Sequence, residues 1–273
     1  MNFLRNHQLN IMLMIQGICT IIALFILFTK NLTKSRKISI FCLEVSASLL
    51  LICDRFAYIY RGDVSQLGWW MVRISNFGVF CFSITIIYSF NLYLKDLLKA
   101  EIKLPKTPLS LILSDIFLVL SMFLLIISLF TKMYYTFDDT NHYHRANGII
   151  LCYLFPVIVL ILQLYCILKH RKQLSKKILI PIILFTILPI TATIFQIFMY
   201  RLSLTNIAIS GMTVFIYIFE IQETNDKIER AHRVEVELLE KYKQELEITV
   251  EERTQELKIA NEKAELILLN ILP

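Results

Sequence analysis

The residues of this chain that could do chemistry are ionisable side chains set inside apolar stretches. Glu44, Asp54, Arg55, Arg73 and Asp115 each lie in a run otherwise dominated by Leu, Ile, Val and Phe. A charge in such a run is costly and marks a binding, relay or switching role by default. Asp54, Arg55 and Arg73 fall toward the same side as Arg61, Asp138, Asp139, His142, His144 and Arg145, and this set can line a small polar ligand pocket. A simpler arrangement of the same residues is an Asp54–Arg73 ion pair with the others forming a solvated rim. His142, His144 and Asp138 have the residue types of a metal site. H-x-H beside one Asp on a loop is common by chance, however, and no metal is assigned.

Other chemistries lack their signatures. There is no phosphate-cradling glycine loop, no nucleophile elbow and no H-E-x-x-H. His232 sits in Ala-His-Arg, without the H-E-x-x-x-P setting of a phosphoacceptor histidine. The six cysteines all lie in apolar runs, none as C-x-x-C, and read as apolar fillers. No catalytic residue and no cofactor is assigned to this chain.

The elements that must hold these residues are membrane helices. The chain is 56% apolar with six glycines and six prolines in 273 residues, too apolar for a soluble domain. Seven runs approach or reach the length that spans a bilayer: Ile11–Thr29, Ile38–Tyr60, Trp69–Leu92, Leu109–Phe130, Ile149–Leu168, Ile178–Tyr200 and Leu202–Phe219. The first, third and fifth loops hold thirteen basic residues, including Lys30, Lys34, Arg36, Lys37, Lys95 and Lys99. Positive residues stay inside, so the N-terminus is expected outside and the C-terminus in the cytoplasm. The net charge of +6 therefore reflects orientation, and no nucleic-acid partner is read from it. The longest outer loop, Thr131–Asn147, leaves no room for a separate external domain.

Residues 1–220 thus form a seven-helix sensor, and 221–273 form a stalk. No Gly or Pro occurs between Gly211 and Pro273, which predicts a helix continuous with the seventh run. Heptads counted from Val236 place Val236, Lys243, Val250, Leu257, Ala264 and Ile271 at a, and Leu239, Leu246, Arg253, Ala260 and Ile267 at d. Nine of these eleven are apolar, the seam of a coiled coil. Ile221, Ile228 and Ala231 do not share that register, so a phase change is expected near His232–Glu235. The fold class is an all-α membrane protein, a seven-transmembrane-helix bundle followed by a long cytoplasmic coiled coil.

The end of the stalk, EERTQELKIANEKAELILLNILP over Glu251–Pro273, resembles the signalling helix ahead of bacterial class III adenylate and guanylate cyclase domains. The matching residues include Arg253, Thr254, Glu256, Leu257, Ala260, Asn261 and the terminal run Leu268–Pro273. Tyr143-His144-Arg145 and Pro189…Gln196 carry a weaker similarity to seven-helix sensory regions ahead of diguanylate cyclases and histidine kinases. The first resemblance implies a place in a bacterial inner membrane and a homodimer through the stalk, with Leu257, Ala260, Ala264, Ile267, Asn270 and Pro273 transmitting a signal from a small ligand or the bilayer. Mg or Mn with ATP or GTP is implied only for a cyclase domain, whose residues have no positions here. A diguanylate cyclase, phosphatase or kinase output is the alternative within this class. A transporter or free-standing membrane protein is the alternative outside it.

Overall fold

The computed structural model describes residues 2–198 and 202–271, with side chains described for 7–196, 198 and 202–267. The order is α1 (Asn2–Phe28), α2 (Lys34–Ile59), α3 (Gln66–Ile102), α4 (Leu109–Thr131), β1 (Tyr135–Phe137), β2 (Tyr143–Arg145), α5 (Ile149–His170), α6 (Lys176–Phe198) and α7 (Leu204–Ile271). A single 3-10 turn, Arg171–Gln173, follows α5. Among the described residues, six of the seven helices are long and apolar enough to cross a membrane; α2 is the exception. Every eighteen-residue stretch of α2 holds at least three ionisable residues, drawn from Lys34, Arg36, Lys37, Glu44, Asp54 and Arg55. The other helices leave large apolar side chains uncovered, among them Phe25, Phe28, Phe123, Ile126, Phe130 and Phe198. Surfaces of that kind need an apolar solvent, so this is the architecture of a multi-pass membrane protein.

Local chemistry sets the helix ends. Thr33 Oγ1 accepts from the Arg36 N–H to start α2, and Ser65 Oγ accepts from the Gly68 N–H to start α3. Lys103 and Lys132 close α3 and α4 in left-handed conformations, at φ 54° and 55°. The helices pack mainly in the pairs α2–α3, α1–α2, α4–α5, α3–α4 and α5–α6. Gly78 makes the α2–α3 approach possible: a Cβ there would sit 2.5 Å from Cys53 Sγ. Phe90 of α3 stacks on Phe185 of α6 with ring centroids 4.0 Å apart, tying the two halves of the core together.

The loop between α4 and α5 is ordered as an antiparallel hairpin in which Tyr135, Thr136 and Phe137 pair with Arg145, His144 and Tyr143. Its turn closes on Asn141, which takes a positive φ of 59°. The hairpin adds two short strands to the helical fold expected from the sequence.

Packing divides the chain into two units, Met1–Glu223 and Thr224–Pro273. The second unit is helical as far as Ile271 and exposed over Glu229–Ile267. Its seam residues Val236, Leu239, Leu246, Val250, Leu257 and Ile267 are all exposed. Lys243 and Arg253, which interrupt the seam, pair along their own helix with Glu247 at 3.8 Å and Glu256 at 2.8 Å. The side chain of Asn270, and Pro273 altogether, lie outside the described residues.

Candidate functional site

The charges buried in α2 find their partners mainly on α7. Asn206 Nδ2 donates to Asp54 Oδ2 at 2.8 Å, Thr213 Oγ1 donates to Glu44 Oε2 at 3.2 Å, and Arg36 Nη1 donates to Glu220 Oε1 at 2.8 Å. On α7 these positions are seven residues apart, so all three lie on one helix face. We call this arrangement a polar ladder. All six side chains of the three rungs are buried. Polar contacts of this kind substitute for water that the surroundings cannot supply.

The rung at Arg36 is the most elaborate. Its Nε also donates to Asp96 Oδ2 at 3.0 Å, and its Nη1 reaches Glu101 Oε1 at 3.4 Å. Tyr93 supports the same carboxylate, donating to Glu220 Oε2 at 2.7 Å. One guanidinium thus serves three carboxylates, and its Nη2 has no hydrogen-bond partner. The sequence count placed Arg36 among loop charges; α2 begins before it and buries it.

At the opposite end of the ladder lies a cavity of about 190 Å³. Asp54, Asn206 and Ser203 form part of its wall, together with Tyr58 and Arg61. Asn76 and Ser83 of α3, Tyr143 and Arg145 of β2, Tyr153 of α5, Thr193 and Gln196 of α6 and Thr205 of α7 add to its polar lining. Pro156 and Pro189 also line it. One turn after Pro189, Thr193 Oγ1 donates to the Pro189 carbonyl at 2.7 Å, a hydroxyl bond back to the preceding turn. Gln196 Oε1 accepts from the Thr205 N–H at 2.9 Å, which holds α6 to the start of α7. The mixture of apolar wall, two guanidiniums, one carboxylate and three phenols suits a small amphipathic molecule.

Of the residues expected to share a pocket, Asp54 and Arg145 line this cavity. Arg55 instead lines a separate space of about 40 Å³ between α1 and α2, beside Met12 and Gln16. Arg73 does not pair with Asp54. It stands 3.8 Å from the centroid of Trp69 and 4.7 Å from that of Phe137, and donates to Asn141 Oδ1 at 2.9 Å. Those contacts make it a pin for the hairpin. His142 and His144 flank Asp138 on the exposed turn, with His144 Nε2 2.7 Å from Asp138 Oδ2. Among the described residues, no group of three or more His, Cys, Asp or Glu is placed to hold a metal ion. Asp115 meets Lys95 and accepts from Asn91 Nδ2 at 2.7 Å.

Asp138 is held well below the usual carboxylate range, chiefly by the backbone N–H of His142 and then by His144 and Thr140. Because the folded value is depressed, its contribution to turn order is present at neutral pH and lost as the pH falls through that lower value. Protection of the His142 amide from hydrogen exchange is expected to hold down to about pH 4 and to decline below it. The Asp138→Asn variant should lack that acid-dependent decline. Burial, with Cys152 next in effect, pushes the phenols of Tyr134 and Tyr135 up to about 12.

The seven-residue spacing of Asn206, Thr213 and Glu220 was readable in the sequence as a polar stripe on an otherwise apolar helix, and it is the signal that finds Thr213 and Glu220. Nothing comparable marks Tyr93, which looks like any core aromatic. Fold and site define a class: a multi-pass helical membrane protein with a cavity at one end of an interhelical polar ladder. No family model, no curated protein and no solved structure matches this chain.

Proposed function

We propose that this chain is the membrane receptor and dimerisation region of a bacterial signal-transduction protein, and that its stalk regulates a class III nucleotide cyclase domain making cyclic AMP or cyclic GMP. In this reading α2 is a seventh membrane crossing, the N-terminus is outside, and two stalks pair as a parallel coiled coil in the cytoplasm. The matching of every α2 rung by α7 supports the seventh crossing, since internal partners offset the cost of ionisable groups in a bilayer. The exposed heptad seam supports the homodimer. The bound signal is a small amphipathic molecule, and any nucleotide and divalent metal belong to the cyclase domain.

The observation that carries this reading is the ladder itself. It joins the cavity wall at Asp54 to Glu220, on the helix that contains the heptad sequence. The test joins the full chain through its stalk to a class III catalytic domain and measures cyclic nucleotide formation in membranes. Asn206→Leu and Glu220→Gln should each change output by roughly 5- to 150-fold, the range of allosteric couplings. In a cysteine-free background, a cysteine at Leu257 should crosslink two chains and one at Lys258 should not. Unchanged output in both variants overturns the receptor reading, and equal crosslinking at the two positions removes the seam.

A further inference from the structure

A second cavity, of about 460 Å³, opens at the lysine-rich end of the bundle between the start of α2, the last turns of α3 and the loop leading to α4. Its charged lining is Lys95, Lys99, Lys106 and Asp96. Two of these are already engaged, Asp96 with Arg36 and Lys95 with Asp115. Lys99 and Lys106 are exposed, and neither ammonium has a hydrogen-bond or ion-pair partner among the described residues. Ser35 and Thr107, each with a hydroxyl, line the same space, and Ser35 belongs to the first turn of α2, where backbone N–H groups favour an anion.

The rest of the wall is mostly apolar, with Ile38, Leu104 and Pro105; Ser39 also lines it, with its hydroxyl donating to the Ser35 carbonyl at 3.0 Å. Ile38 is half exposed, and beyond Pro108 the first turns of α4 present Leu109 and Ile112 uncovered. Unpaired cations and hydroxyl donors beside an uncovered apolar surface match one ligand chemistry, a phosphate carried on acyl chains.

We propose that this cavity binds the phosphate of an anionic phospholipid headgroup, with Lys99 and Lys106 supplying charge and Ser35 and Thr107 supplying hydroxyl donors. The proposal does not rest on the receptor reading: Asp96 accepts from Arg36, but Lys99 and Lys106 are neither rungs of the ladder nor part of the cavity at Asp54.

The test uses the full chain, purified and delipidated, with bound lipid counted by native mass spectrometry. Short-chain phosphatidylglycerol, phosphatidylcholine and inorganic phosphate are the probes. Wild-type protein should retain phosphatidylglycerol at least roughly tenfold better than phosphatidylcholine, the discrimination two well-placed lysines supply. The double variant Lys99→Gln, Lys106→Gln should lose that preference. Lys34→Gln, Lys103→Gln removes equal charge nearby without touching the lining and should leave the preference intact. Inorganic phosphate that displaces the lipid at equal concentration identifies a soluble anion as the ligand and overturns the lipid assignment. Equal retention of the two lipids, or equal loss in both double variants, overturns the site.

Discussion

Replacing Arg36 with methionine is expected to lower the free energy of unfolding by about 3–5 kcal/mol, the cost of removing one partner from a buried ion pair. The variant strands Glu220, whose side chain is 1% exposed, with only the Tyr93 hydroxyl for support. Asp96 and Glu101 lose their cation as well, at less cost, because their side chains are 14% and 23% exposed and reach water. Adding Glu220→Gln to Arg36→Met removes the stranded charge and keeps an acceptor for Tyr93. The double variant should therefore recover most of the loss, leaving a large interaction energy in the double-mutant cycle. Denaturant unfolding of the purified protein in detergent measures both effects. A loss below about 1 kcal/mol for the single variant is what a hydrated surface pair would give, and it would sink the buried network.

The opposite sign is expected at Glu44. This carboxylate is fully buried, accepts from Thr213 through one oxygen, and leaves Oε1 without a partner. Glu44→Met is similar in shape and strands no donor, because Thr213 Oγ1 also donates to the Ser210 carbonyl at 2.9 Å. Removing an incompletely satisfied polar group should stabilise the protein by about 1–3 kcal/mol in the same unfolding measurement. A side chain whose removal stabilises the fold is held there by something other than folding. Loss of cyclic nucleotide output in the proposed cyclase fusion together with gained stability in Glu44→Met would assign it to function; a loss of stability would show that the ladder depends on this rung.

The helical elements were legible because apolar runs long enough to cross a bilayer leave little ambiguity; α4 at Leu109–Thr131 lies almost where hydropathy puts it. α3 was harder. It continues to Ile102, well past Leu92, because Lys95, Asp96 and Lys99 look like loop residues until their partners and the cavity beside them are known. Arg36 was misread for the same reason. The hairpin was not legible, since three-residue strands are too short for alternation to register. Which ionisable groups meet across helices was only partly visible. Asp54 and Arg73 lie on the same side of the bundle, but their partners depend on how each helix is turned, and hydropathy does not encode that angle. On α7 the seven-residue period did encode it, and a polar stripe deserves the same reading as an apolar one.

The ladder also restricts which motions α7 can make at low cost. Seven residues of α-helix fall only about 20° short of two full turns, so Asn206, Thr213 and Glu220 share one azimuth. Any substantial spin of α7 about its axis would bring apolar side chains against Asp54, Glu44 and Arg36 together. A screw step is different. Ser203, just before α7, and Ser210 and Tyr217 within it repeat with the same period three residues earlier, about 4.5 Å along the axis and about 60° around it. A shift of about 4.5 Å coupled to that turn would exchange one set of polar groups for another without leaving all three α2 charges facing apolar side chains. The ladder resists spin alone and is notched along a screw.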